Sequence, residues 1–293
     1  MSNIFLLLAA MIWGFSFVAQ RLGSQYLGAF AFNGIRFGLG CLVLLPPVLI
    51  SLFRNRLEEN FRAKNFLSIK AGIIVGVALY AASALQQLGL AETTAGKAGF
   101  ITDMYIVIVP LLGVFLGHKI PSLTWVSVAL SVVGLYLISV TGQFGISRGD
   151  LLVLGGAFLW AAQIILISHF ANNVDTLIFS LFQFLTCSVL SLITTLFTEN
   201  ISWGGVLGAG IPILYGGVLS VGVAFTLQMF GQKHARPSHA ALLMSMEAVF
   251  ACLGGMLILK ETLEPKGYLG CALIVFAMIL SQSSAFKKEP VQA

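Results

Sequence analysis

Phe30-Ala31-Phe32-Asn33-Gly34-Ile35-Arg36-Phe37-Gly38-Leu39-Gly40-Cys41-Leu42-Val43-Leu44-Leu45-Pro46-Pro47-Val48-Leu49-Ile50-Ser51-Leu52 is a run of 23 residues with one charged side chain, Arg36. As an α-helix it would reach about 34 Å, enough to cross a hydrocarbon core of about 30 Å. Comparable runs lie outward from it at 4–20, 67–88, 96–117, 122–141, 150–170, 175–197, 206–230, 238–259 and 264–284. The opening stretch also repeats. Phe32 and Phe37 return 147 positions later as Phe179 and Phe184, and Trp13 returns as Trp160. Leu85-Gln86 and Gly89 return 142 positions later as Leu227-Gln228 and Gly231, with Ala98 matching Ala240 and Gly113 matching Gly255. A period near half the chain length means two copies of a five-segment unit, residues 1–145 and 146–293. Because five is odd, the second copy enters the membrane from the opposite face. The expected fold is therefore an all-α polytopic membrane protein, ten transmembrane helices arranged as two inverted five-helix repeats, an architecture of alternating-access transporters.

Composition agrees with this class. Of 293 residues, 58% are hydrophobic and 9% charged, against roughly 25% charged in an average soluble domain. Mean hydropathy is +0.97. A soluble fold of this length has no interior large enough for so much apolar surface, so the lipid bilayer is the expected solvent. The formal charge of +5 sits in short loops between apolar runs, which marks topology and not a nucleic-acid groove. Cys41, Cys187, Cys252 and Cys271 each fall inside an apolar run with no CxxC pair and no histidine at ligand spacing. They read as small packing residues, with neither disulfide nor metal expected. Residues 4–20 lack the basic flank and the small-residue cleavage site of a secretory leader, so they read as a retained first helix.

Orientation follows from the cationic loops. Arg54, Arg56, Arg62, Lys64, Lys70, Lys119, Lys233, Arg236, Lys287 and Lys288 share one side, whereas Arg21, Lys97, Arg148, Lys260 and Lys266 share the other. The richer side is cytoplasmic. Both termini then face the cytoplasm, and the expected location is the inner (plasma) membrane of the cell.

Several segments resemble a known family. Ala9-Ala10-Met11-Ile12-Trp13-Gly14-Phe15-Ser16-Phe17-Val18-Ala19 resembles the opening helix of the drug/metabolite transporter superfamily, EamA branch. The Arg36-Phe37 pair, the stretch from Leu85 through Thr94-Ala95-Gly96-Lys97-Ala98 to Pro110-Leu111-Leu112, Ser245-Met246-Glu247-Ala248-Val249-Phe250 and Lys260-Glu261 are similar to later segments of that family, in the same order. Two positions depart: Gly117-His118-Lys119 where the first repeat often has Gly-Glu, and Ala248 where the second often has proline. The resemblance implies a secondary transporter of small metabolites, often an exporter of amino acids, with substrate held between the repeats.

Ionisable groups inside the membrane are the first site candidates, because a charge at the bilayer centre costs about 2.5–3.5 kcal/mol even on the lenient insertion scale. Asp103 and Arg36 each lie six or seven residues inside a run that starts on the outer face, so they are expected at a shared depth as an ion pair. The plainer reading of Arg36 is a structural residue that snorkels outward. Glu247 is the deepest acid and has no basic residue near it in sequence. An unpaired buried carboxylate suits a group that gains and loses a proton, so proton coupling is expected there; a structural, protonated glutamate is the alternative.

Gln86 and Gln228 are repeat-equivalent and read as helix-packing residues. Gln87 is matched by Met229 and shares a helical face with Tyr80 and Ala84, which makes that face a candidate cavity wall. Trp13 and Trp160 lie well inside their helices, away from the interfacial belts where such rings usually sit. With Gln163 one turn beyond Trp160, they are candidates for a substrate wall by stacking or cation–π contact. The expected substrate-binding set is thus Trp13, Tyr80, Gln87, Asp103, Trp160 and Gln163, with Arg36, Glu247, Gln86 and Gln228 as coupling or structural polar residues.

Gly96-Lys97-Ala98 superficially suggests a phosphate loop, but the glycine spacing is wrong and Ala98 stands where Ser or Thr is required. No motif for prenyl transfer, acyl transfer or metalloproteolysis is present. The function expected is secondary transport, export of a small metabolite such as an amino acid, with no cofactor and no catalysis. The same fold as an importer of a metabolite or quaternary amine is the alternative. A monomer or weak homodimer is expected, since the GxxxG spacings Gly34–Gly38 and Gly113–Gly117 suggest close approach within the bundle.

Overall fold

A computed structural model describes residues 2–54, 61–93, 95–117, 120–139, 147–260 and 264–286, and every regular element among them is helical. The boundary between the two expected units, 145/146, lies outside the described residues, as do Arg56, Lys119, Lys287 and Lys288. We number the elements α1 (Ser2–Gly23), α2 (Ala29–Arg54), α3 (Phe61–Glu92), α4 (Ala95–Asp103 continued by Tyr105–Phe115), α5 (Ser122–Ser139) and α6 (Arg148–Phe170). Then follow α7 (Thr176–Thr198), α8 (Gly210–Gln232), α9 (Pro237–Met244 continued by Met246–Ile258) and α10 (Pro265–Phe286). Eight of these are long and apolar enough to cross a membrane, and α5 and α10 contain shorter apolar helices.

The chain turns its apolar side chains outward and its polar ones inward. Phe115 is 86% exposed and Phe197 83%, while Asn33, Arg36, Gln87, Asp103, Gln163 and Glu247 are buried. In water that distribution would be unstable; in lipid it is the expected one, because hydrocarbon solvates leucine and phenylalanine but offers polar groups no partner. This is a multi-pass membrane protein.

Helix ends are closed by local chemistry. The hydroxyl of Ser147 accepts from the Asp150 amide while the Asp150 carboxylate accepts from the Ser147 amide, a capping box that starts α6. Asp175 caps α7 by accepting from the amides of Leu177 and Ile178. The start of α2 is capped across the two halves of the chain: Glu199 accepts from the amides of Phe30 (3.0 Å) and Ala31 (2.8 Å). A Cβ at Gly28 would lie 2.2 Å from that carboxyl carbon, so a side chain there would push the capping carboxylate aside.

The helices of one half pack mainly against helices of the other. α1 packs on α9 and on α8, α2 on α7 and α8, α3 on α6 and α7, α4 on α6, and α5 on α10. Exchanging each helix with its partner five places along (α1 with α6, α2 with α7 and so on) maps this set onto itself. Directions are readable at the close approaches. Gly34 meets Leu192 and Gly38 meets Ser188, so α2 and α7 run antiparallel. Gly14 meets Phe250 and Gly254 meets Val18, so α1 and α9 run parallel.

Two interruptions also fall within one residue of equivalent places. α4 breaks at Met104 and α9 at Ser245. A third irregularity is the wide-turned π-helix Tyr215–Phe225 inside α8, a stretch with three glycines. Such turns free carbonyls from the regular ladder and recur at functional sites.

Gly14 is where α1 and α9 approach most tightly: a Cβ there would lie 2.4 Å from Phe250 Cβ, 2.7 Å from the Glu247 carbonyl and 2.8 Å from the Ala251 amide nitrogen. Two of those atoms are backbone and have nowhere to move. Gly14→Val is therefore expected to destabilise by about 1–3 kcal/mol, as overpacking does, and to lower the unfolding midpoint of the detergent-solubilised protein by several degrees. Gly204→Ala, where nothing lies within 4 Å of an added Cβ, is the matched control and should leave the midpoint unchanged.

Candidate functional site

A cavity opens where the two halves meet. α1 supplies Trp13, Phe17 and Gln20 to its wall, α2 supplies Arg36, α3 Gln86, and α4 Thr102 and Tyr105. From the second half come Trp160, Gln163 and Ile164 of α6, Ser220, Phe225 and Gln228 of α8, and Met244 and Glu247 of α9. The breaks at Met104 and Ser245 are flanked on both sides by lining residues, so both interrupted helices turn their broken turn to the cavity.

One wall is aromatic. Phe225 is its centre: the Trp13 ring meets it edge-on at 4.8 Å and the Trp160 ring lies nearly parallel at 6.0 Å. Phe184 and Phe37 back it at 5.8 and 6.0 Å. The indoles are held by their N–H groups, as buried tryptophans require. Trp160 Nε1 donates to Gln86 Oε1 at 2.7 Å, and Trp13 Nε1 to the carbonyl of Ser220 in the π-helix at 3.2 Å.

The polar lining forms a chain of amides. Gln86 Nε2 donates to Gln20 Oε1 (3.4 Å), and Gln163 and Gln228 exchange donor and acceptor at 3.4 and 3.2 Å. Each amide thereby finds a partner away from water.

The charged groups are arranged differently from the expectation. Asp103 does not pair with Arg36. The Arg36 Nε donates to Asn33 Oδ1 at 2.9 Å, and the guanidinium lies 5.6 and 5.0 Å from the ring centroids of Phe32 and Phe37. Asp103 sits instead beside Glu247 and Tyr105, and the Tyr105 hydroxyl donates to Glu247 Oε1 at 3.4 Å. Glu247, unaccompanied in the sequence, thus has two polar neighbours contributed by α4. Neither Asp103 oxygen has a hydrogen bond of good geometry among the described residues. Asp103 is the last residue of α4 before the broken turn at Met104.

Of the residues expected to bind substrate, Trp13, Trp160 and Gln163 line the cavity, whereas Tyr80, Gln87 and Asp103 lie outside its lining. The Tyr80 hydroxyl is 2.6 Å from the Thr194 hydroxyl, on the α3–α7 side. Gln87 Nε2 donates to the Gln20 carbonyl at 3.2 Å. The four polar residues read as structural or coupling, Arg36, Gln86, Gln228 and Glu247, all face the cavity. Sequence reasoning passed over Phe225, Tyr105 and Gln20. Phe225 had a signal: it is the counterpart, 142 positions on, of Ser83, and a large ring replacing a small hydroxyl between otherwise matching helices marks a point where the halves differ. Tyr105 is likewise the counterpart of Glu247 at the same offset.

Among the described residues no cluster of three or more His, Cys, Asp or Glu side chains is placed to hold a metal. None of the four cysteines is in a disulfide.

Comparison with known proteins places the chain. The model of the EamA-like transporter family matches residues 1–140 and again 147–282. An uncharacterized transporter of Archaeoglobus fulgidus is 31% identical over 95% of this chain and 85% of its own length. The uncharacterized inner membrane transporter YedA of Escherichia coli K12 is 23% identical over 92% of this chain and 87% of its own. A crystal structure of a protein 18% identical superposes with a TM-score of 0.78 over 98% of both chains, a likeness that shows the fold. With two successive matches that together span nearly its whole length, the chain belongs to the EamA-like transporter family and is a membrane transporter.

Proposed function

We propose that this protein is an alternating-access secondary transporter that carries a small metabolite, such as an amino acid, through the cavity between its halves. The observation that carries the reading is the position of the cavity: both halves line it, and α4 and α9 are interrupted beside it within one residue of equivalent points. Discontinuous helices at the interface of a repeat are how transporters place backbone and side-chain polar groups at the middle of a bilayer. The antiparallel run of α2 against α7 and the exchange symmetry of the helix pairs support ten spans in two inverted five-helix repeats. The direction we propose is export, on the family resemblance.

The Asp103–Glu247 pair is the proposed coupling site. Two carboxyl groups in contact, with no cation beside them, are tolerable away from water only if a proton is held between them. A carrier that uses a proton gradient needs such a proton to be released on one side and recaptured on the other. In proteoliposomes with an accumulated substrate, counterflow against a panel of amino acids, quaternary amines and sugars is expected to identify a transported compound. An imposed pH gradient should accelerate its uptake by the wild type. Glu247→Gln, nearly isosteric, should keep counterflow and lose that response. Wild-type transport indifferent to the gradient, or a Glu247→Gln variant as responsive as the wild type, would leave the pair with a structural role only.

Membrane orientation is testable separately. In a background with all four cysteines replaced, a cysteine at Arg62, exposed at the start of α3, should react with a membrane-impermeant maleimide only from the cytoplasmic side. One at Trp203, exposed beyond the end of α7, should react only from outside. Both labelling from one side would remove the inverted arrangement.

A further inference from the structure

Arg36 is a buried cation, about 3% exposed, that the transport reading leaves without a task. It lines the cavity. Its Nε is committed to Asn33, and Asn33 is itself fixed, because its Nδ2 donates to the Ser83 carbonyl at 3.0 Å and leaves only Oδ1 for the arginine. The rings of Phe32 and Phe37 flank the guanidinium. On α8, Gly216 leaves room for its stem: a Cβ there would lie 3.3 Å from Arg36 Cδ. Among the described residues no carboxylate lies within ion-pair distance, and the two terminal nitrogens donate to no protein group, yet they are not sealed off. The one acid among the described lining residues, Glu247 on α9, is engaged by Tyr105 and Asp103 of α4. A cation at this depth is tolerated only with a compensating charge or water, and the protein supplies everything for it except the anion.

We infer that Arg36 is the anion seat of the transport site and that the substrate carries a single carboxylate, which docks on the two terminal nitrogens. This rests on the transport reading and names its substrate class. The planar fork of an arginine matches a carboxylate through two parallel hydrogen bonds. Among the described residues Arg36 is the one cation that lines the cavity, so a phosphate dianion would bring a second negative charge with no described cation to meet it. Beyond the fork the substrate meets Trp13, Trp160 and Phe225, which suit an apolar or aromatic body.

The test uses the full chain in nanodiscs, with ligand-induced shift of the unfolding midpoint as the readout. The probes are butyrate, phenylacetate and phenylalanine, each beside its neutral amide, and phenyl phosphate. At least one carboxylate is expected to stabilise the wild type, with its amide and phenyl phosphate weaker by roughly ten- to a hundredfold, the worth of a hydrogen bond to a charged group. Arg36→Gln should lose that discrimination, and Arg36→Lys, which keeps the charge without the fork, should retain part of it. The comparison of acid with amide needs no variant, so poor folding of Arg36→Gln would not obscure it. Equal binding of acid and amide, no stabilisation by any carboxylate, preference for the phosphate, or unchanged discrimination in Arg36→Gln would each overturn the inference. Counterflow of a neutral or cationic compound would remove the anion seat and leave the transporter standing. Carboxylate binding without any translocation would do the reverse.

Discussion

Hydrocarbon offers no hydrogen bond, and every other feature of this molecule depends on that. An amide left unpaired in lipid costs several kcal/mol, so every long segment among the described residues is helical and many side-chain amides pair with one another or with backbone carbonyls. Gln163 with Gln228, Gln86 with Gln20 and Trp160, and Asn33 with Arg36 and the Ser83 carbonyl are solutions to one problem. Most of these bonds join helices that are far apart in sequence. Satisfying polar groups and tying distant helices together are therefore the same act; Trp160 with Gln86 does so between the halves, and the Glu199 cap on α2 does so at the membrane surface.

The two halves resemble each other in helix order and pairing but differ where they meet the cavity. Tyr105 and Glu247 occupy equivalent positions and touch, one as donor and the other as acceptor. Ser83 and Phe225 are equivalent, and the second half alone places a ring at the centre of the aromatic wall. A metabolite has no two-fold axis. A site with two identical walls would bind it equally in two orientations, so the differences between halves are where recognition must lie, while the likenesses serve the packing.

The course of the helices was legible because hydropathy is a local sum. The ten apolar runs fall on helices whose edges differ by a few residues, as 30–52 does from Ala29–Arg54. α3 is the exception, beginning at Phe61 and not near 67, because Arg62 and Lys64 interrupt an apolar count without interrupting a helix that starts outside the hydrocarbon. The breaks at Met104 and Ser245 and the wide turns of Tyr215–Phe225 were not legible, since they depend on what packs against them. At the site, the tryptophans were legible from their depth, which does not require knowing how a helix is rotated. Gln86 and Gln87 were not separable in the same way. They lie about 100° apart on one helix, and only the position of Trp160 decides that Gln86 turns to the cavity. Asp103 and Arg36 were matched by depth, and depth says nothing about which neighbours a broken turn brings close.

The tryptophans connect these points to mechanism. Trp13 ties α1 to α8 and Trp160 ties α6 to α3, contacts that exchange with one another when the halves are exchanged. One indole holds a backbone carbonyl and the other a side-chain amide, at different lengths. A buried hydrogen bond is worth about 0.5–1.5 kcal/mol net, and the conformers of a two-state protein commonly differ by only a few kcal/mol. On the alternating-access reading, the opposite-facing conformer would have the two halves trade environments, so each tryptophan would lean toward the bond the other now makes. Neither trade is costless, because Gln228, the counterpart of Gln86, is already held by Gln163. A difference of that size between otherwise matching halves is enough to favour one conformer in the empty protein, and a ligand that stacks on both rings is placed to change the balance.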